Sequence, residues 1–469
     1  MKNIFQFLKS TLVVATLVAF CASARAEVWT VPAPEGQGIE NAYRVQVDGK
    51  DVAIYRSFDQ ENDSGEYYFA TFEFTGNVEI KITAPWALEK ATVAPERFGV
   101  KIAEQSEQEV TLTADKPFQI SFEPNGHVKP LMLFGLAPEE NAPKEGDPNV
   151  VYYGPGVYKP DMIELRDNQT LYVAAGAVVN GGVHASGKNI TIRWRGVIAG
   201  TEWERFKGPG SFIIHATNCE NLTIRDVILR DPWSWTCVLS GCDGATIDGL
   251  RICASNMIND DALDLCNTKN AVVKNCFFRA QDDSIAIKGL GGQACENIRI
   301  EDCVFWTDRA NVFRVGYECD AEAMRNIVAK NIDVLGYSVN YRDPEDYWSN
   351  TIIWLQPNQE MLMSDCHFED FRIRANGTNT ILLEAKPMSC TVGELKNPPP
   401  GTLENCSLKN FTVYGEKGDF FGYVYIRGES EKSHVKGLTV ENVEYFGEKI
   451  TKDSPCVFIG KFAEDVVIK

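Results

Sequence analysis

The sequence predicts an all-β protein: a right-handed parallel β-helix preceded by an N-terminal β-sandwich. Three observations predict it. First, one unit recurs from residue 189: NITIRWRGVIAG, NLTIRDVILRD, GATIDGLRICA, NAVVKNCFFRA, NIRIEDCVFWT, NIVAKNIDVLG and, near the end, GLTVENVEYFG. Its second residue stands at 190, 222, 245, 271, 298, 327 and 438, and the steps from 222 are 23, 26, 27 and 29 residues. Irregular periods in the twenties, with β-branched runs and Asn, Asp or Gly corners, fit stacked coils. A leucine-rich repeat would need a Leu spacing that is absent. Second, Asp260-Asp261 and Asp282-Asp283 precede the short alternating runs Leu263-Asp264-Leu265 and Ile285-Ala286-Ile287, with 22 residues from Asp261 to Asp283. That is about one coil, which stacks the two acidic pairs one rung apart at about 4.8 Å. Third, residues 27 to about 136 are short alternating runs broken by turns, the pattern of a sandwich.

The chain opens on a secretory signal, expected over 1–26. Lys2 and Lys9 form a positive start, Thr11 to Ala22 an apolar run too short to span a bilayer, and Ala24-Arg25-Ala26 a cleavage site. Export is the expectation, to the periplasm or beyond, with a mature start at Glu27 and no membrane span.

The sandwich is expected over 27–140. Ala42 to Lys50 alternates and then turns. Tyr67 to Phe74 and Val78 to Ile82 read as a hairpin around Gly76-Asn77, and Val110 to Leu112 with Phe118 to Phe122 as a second pair. No catalytic constellation stands there, and packing and capping of the solenoid is the expected role. Ala137 to Asn149, rich in Pro and acid, reads as a linker. The solenoid is expected over 150–469, with first coils from Val150, an excursion at Thr201 to Ser211 and another at Lys396 to Gly401.

The formal charge is −19, and removal of Lys2, Lys9 and Arg25 leaves −22. Such an acidic chain is ill suited to nucleic acid or other polyanions. Export permits disulfides, but Cys276, Cys303, Cys366 and Cys406 share an Asn-Cys or Asp-Cys context. That reads as one buried column of small apolar side chains. There is no zinc-type Cys spacing and only five His, so a His-rich metal site is not expected.

Four carboxylates on one patch repel one another, and a fold tolerates that for metal binding or acid/base chemistry. Solvated Asp turns are the alternative. Around the acids lie candidate sugar contacts. Trp233 and Trp235 stand one rung before. Asn311, Arg314, Tyr317 and Glu318 stand one rung after, with Tyr337, Tyr341, Arg342, Trp348 and Trp354 beyond. Trp and Tyr beside carboxylates suit stacking on sugar rings, though such residues also serve as core. Arg314 alternates with Phe313 and Val315, so it points outward. Asp260, Asp264 and Lys288 complete the expected binding set.

NDDALDL, QDDSIAIKG, the GPGVY start and the sandwich-then-solenoid order resemble glycoside hydrolase family 49, and also the related family 28. The resemblance is clear over about 150 to 355. It implies that Asp261, Asp282 and Asp283 are catalytic. By the family pattern Asp282 is the acid, and Asp261 with Asp283 hold and deprotonate water in an inverting hydrolysis of an α-linked carbohydrate. No cofactor or metal is implied. Where family 28 has Gly-His-Gly, this chain has Ala310-Asn311-Val312, and the uronate-binding Arg-x-Lys is replaced around Ile353-Trp354-Leu355. Family 49 fits better. Three other readings stay open: a lyase using Ca²⁺ and Arg314 or Lys288 as base, a non-catalytic glycan-binding solenoid, and a family 28-type hydrolase of another uronide.

Overall fold

The computed structural model describes residues 26–39, 41–59, 65–337, 351–377, 381–390, 398–418 and 422–469. The expected signal segment, save Ala26, and Tyr341, Arg342 and Trp348 lie outside the described residues.

Residues from Val150 to the end coil into a parallel β-helix. Each strand pairs in parallel with the strand one coil on, as Cys237–Ser240 does with Leu263–Cys266, then Ile285–Lys288, then Phe313–Gly316, then Thr351–Gln356. The corners explain the repeat. Two residues per coil, five apart, take the left-handed conformation: Asn221 and Asp226, Gly244 and Gly249, Asn270 and Asn275, Asn297 and Asp302, Asn326 and Asn331, Asp365 and Asp370, Asn405 and Asn410. Only Gly, Asn and Asp enter that region cheaply. The amides also ladder from coil to coil, Asn297 Nδ2 donating to Asn270 Oδ1 at 2.9 Å and Asn326 Nδ2 to Asn297 Oδ1 at 2.7 Å.

Inside, one apolar column set runs the length of the coil, from Leu171 through Ile224, Leu265 and Phe313 to Leu408. Cys276, Cys303, Cys366 and Cys406 all point into it as free thiols. They form two columns rather than the expected one. Cys276 and Cys303 follow the second corner of their coils, whereas Cys366 and Cys406 follow the first, as Ile327 does. The shared Asn/Asp-Cys context arises because both corners need the same residue types.

The N-terminal region is a two-sheet sandwich. The runs expected to form hairpins instead cross between its layers. Glu66–Thr75 pairs with Ile54–Phe58 and with Leu131–Leu136, while Val78–Thr83 joins Arg44–Val47 and Glu109–Ala114 in the other sheet. Glu109–Ala114 and Phe118–Glu123 are likewise split. Each run is apolar enough to face a partner layer, so a tight turn can send the chain across the core as readily as back along one sheet. The sandwich does not cap the coil's end. One sheet lies along its flank, where Tyr55, Tyr67, Phe69 and Phe134 pack on Val197, Ile228, Phe277 and Trp306.

Candidate active site

The strands Leu263–Cys266 and Ile285–Lys288 are register partners, Leu263 opposite Ile285. Asp261 and Asp283 each stand two residues ahead of these partners and so occupy one column on the same face. One oxygen each from Asp261, Asp282 and Asp283 converge within 4.8 Å of one another. Such a trio suits shared protons or a bound cation, and Lys288 and Arg314 bring positive charge beside it.

The three differ in surroundings. Asp283 is 2 % exposed; its Oδ1 accepts from Asn311 N (3.1 Å) and Nδ2 (2.7 Å), and Arg314 Nη1 lies 3.4 Å from Oδ2. Three donors thus hold this one carboxylate in place. Asp282 alone of the three is not fully buried. Its oxygens accept the N–H groups of Asp283 (2.9 Å) and Asn259 (3.2 Å). Burial, and then the neighbouring Asp283 charge, push its pKa up to about 6. Asp261 is buried with Oδ1 unpaired and Lys288 Nζ 3.8 Å from Oδ2. Burial, then Asp264 and Asp282, hold its pKa well above the ordinary value.

The expected binding set divides. Trp235, Arg314, Tyr317 and Glu318 keep open surface. Trp235 stacks on Phe212 at 5.4 Å and 5°, with Lys288 Nζ 3.8 Å from its ring centre. Arg314 lies over the rings of Tyr317 and Trp354. Five others, Trp233, Asp260, Asp264, Lys288 and Asn311, are buried. Trp233 lies beneath the Thr201 to Ser211 excursion, donating to Gly210 O at 2.8 Å and so close to Gly208 that a Cβ there would strike it. Asp260 is sealed by backbone donors, Gln281 N (2.7 Å), Asp282 N (3.0 Å) and Ser255 N (2.6 Å). Asp264 lies 3.2 Å from Lys288 Nζ, off the line of a good hydrogen bond, and Lys288 also faces Asp261 and Glu318. Asn311 spends its amide on Asp283 and on Thr351 N (2.8 Å). Tyr337 is core.

Sequence reasoning passed over Phe212, which completes the Trp235 platform, and Ser255 and Arg279. Arg279 carried a signal: one charge in the apolar strand Phe277–Ala280, immediately before the Gln-Asp-Asp stretch.

Residues 153–333 match the family model Glycosyl hydrolases family 28. No curated protein matches the chain by sequence. Among solved structures, the fold is similar to Dex49A from Penicillium minioluteum, with a TM-score of 0.67 at 13% identity over 93% of this chain and 96% of that one. It is also similar to a hyperthermoactive exopolygalacturonase from Thermotoga maritima, with a TM-score of 0.50 at 17% identity over 68% of this chain and 83% of that one. The fold and the family match over residues 153–333 liken the chain to the β-helix glycoside hydrolases. In fold the chain is similar to a family 49 enzyme, and residues 153–333 carry the family 28 pattern. Among the described residues, no helix is long and apolar enough to cross a membrane.

Proposed function

We propose that this protein is an exported, inverting hydrolase of an α-linked polysaccharide or oligosaccharide. Asp282 protonates the leaving oxygen, while Asp261 and Asp283 hold and deprotonate the attacking water. The observation that carries the reading is the asymmetry of the trio. A partly exposed carboxyl with its pKa near 6 sits beside a carboxylate pinned by three donors. A glycosidase needs one carboxyl as acid and a neighbouring one as base. The trio titrates as a set, so its pH profile belongs to the cluster.

Inverting enzymes commonly hold acid and base about 6.5–9.5 Å apart, retaining ones about 5–5.5 Å. The nearest oxygens here are closer than either range, which describes carboxyl groups rather than nearest atoms. The inverting assignment therefore rests on the resemblance and on the three-acid arrangement. The mature protein is to be screened on α-glucans, galacturonans and algal or host glycans by reducing-sugar release. Proton NMR then reads the first anomer: a β-product from an α-linked substrate supports the reading, and an initial α-product overturns it.

Both candidate bases of the lyase reading are poor ones. Burial pushes the pKa values of Lys288 and Arg314 down, but the carboxylates around them, Asp264, Asp261 and Glu318 for Lys288 and Asp283 and Glu318 for Arg314, raise them further, which favours the protonated forms. Export is tested by the mass of the secreted chain, which should begin at Glu27.

A further inference from the structure

Ser255 holds φ +95°, a conformation that side chains rarely adopt. It is pinned from both sides. Its N–H donates to Asp260 Oδ2 at 2.6 Å, and its hydroxyl donates to Asp308 Oδ2 at 2.6 Å. A strained residue persists only where its surroundings over-determine it, and such residues cluster at functional sites.

Both partners lead on. Asp260 Oδ1 accepts the N–H groups of Gln281 (2.7 Å) and Asp282 (3.0 Å), which places the backbone that carries the proposed acid. Asp308 accepts from Trp306 Nε1 (2.8 Å) and from Arg279 Nε (3.0 Å) and Nη2 (3.3 Å). Arg279 is fully buried between the rings of Trp306 and Tyr67, and its Nη2 also donates to Asp59. Asp59 and Tyr67 belong to the sandwich. An unbroken run of hydrogen bonds thus joins the N-terminal region to Asp282: Asp59, Arg279, Asp308, Ser255, Asp260, then the Asp282 N–H.

We propose that Ser255 and Asp260 are positioning residues for Asp282, and that the sandwich fixes them through Asp59 and Arg279. The sandwich is then part of the catalytic apparatus, without touching substrate. The proposal rests on the reading of Asp282 as the acid. The groups facing Asp282 are Asp260, Asp261, Asp264, Asp283, Lys288 and Arg314.

Ser255→Ala removes the Asp308 bond and frees the turn, so water reaches Asp282 and eases its ionisation. In the mature chain labelled with ¹³C-aspartate, the Asp282 carboxyl signal is assigned by its loss in Asp282→Asn. Its titration midpoint should fall by about one pH unit in Ser255→Ala. On a glycan that the parent cuts, kcat should fall about 10- to 100-fold with KM nearly unchanged, as expected for a misplaced reacting group. The alkaline limb of the kcat profile should move to lower pH. Asp59→Asn should act in the same direction; if it fails to fold, Ser255→Ala decides alone. An unmoved Asp282 midpoint in a folded Ser255→Ala variant overturns the proposal, even if the melting temperature drops. Full activity of Asp282→Asn overturns the acid assignment instead, so the two failures are distinguishable.

Discussion

Asp261 and Asp283 occupy one column of the coil, each two residues ahead of a register-paired strand, and their side chains meet on one face with Asp282. Stacking at one rung forces these like charges together, and Lys288 and Arg314 offset the repulsion only in part. Replacing Asp282 with Asn should therefore abolish turnover while leaving the melting temperature unchanged or slightly raised. Reducing-sugar assays beside calorimetry check both. A near-normal rate would remove Asp282 from the acid role.

Stability should fall as pH rises across the acidic range. Burial raises the pKa of Asp282 to about 6 and those of Asp260 and Asp264 to about 7. An aspartate whose folded pKa exceeds its unfolded value near 3.8 binds more protons folded than unfolded. Its stabilising contribution is complete below the unfolded pKa and is lost as pH climbs through the folded one. Melting temperatures should decline from about pH 4 to about pH 7 for this reason. Asp282→Asn should flatten the slope; an identical slope in the variant would contradict the assignment.

The corner ladder gives a stability test far from the site. Asn297 is left-handed and bonded to Asn270 and Asn326. Valine there should cost about 3 kcal/mol, since a β-branched side chain in the left-handed region costs about 1–2 kcal/mol and the two lost ladder bonds about 1 kcal/mol each at most. Glycine should cost less, because it keeps the backbone. Denaturant midpoints of the two variants check this, and equal losses would show that the backbone conformation is not the cause.

Thiol labelling tests the interior. All thirteen cysteines among the described residues are free, and of these only Cys390 and Cys456 are not fully buried. Under native conditions no more than these two should react with an aromatic disulfide reagent, and all thirteen should react once the chain unfolds. Rapid native labelling of Cys276 or Cys303 would mean that the columns are misplaced.

The sequence by itself determined the solenoid, its coil length, the stacking of the two acidic pairs and the inward direction of the cysteines. These follow from local rules: period-2 alternation, the few residues that tolerate left-handed corners, and a coil that repeats after 22 residues between Asp261 and Asp283. Only the tertiary structure decided which polar residues face a substrate. Asp260 and Asp282 look alike in sequence, yet one is sealed by backbone N–H groups and the other remains partly exposed. Trp233 and Trp235 are two residues apart, but the Thr201 to Ser211 excursion covers the first, while the second stacks on Phe212 and keeps open surface. The sandwich strands paired otherwise than expected because a short apolar run does not encode which layer it joins. The Asp59–Arg279–Asp308 connection spans more than two hundred residues, so no local pattern could carry it. Burial and long-range contact are properties of the packed chain, and those are what separate a substrate contact from the residue that holds it in place.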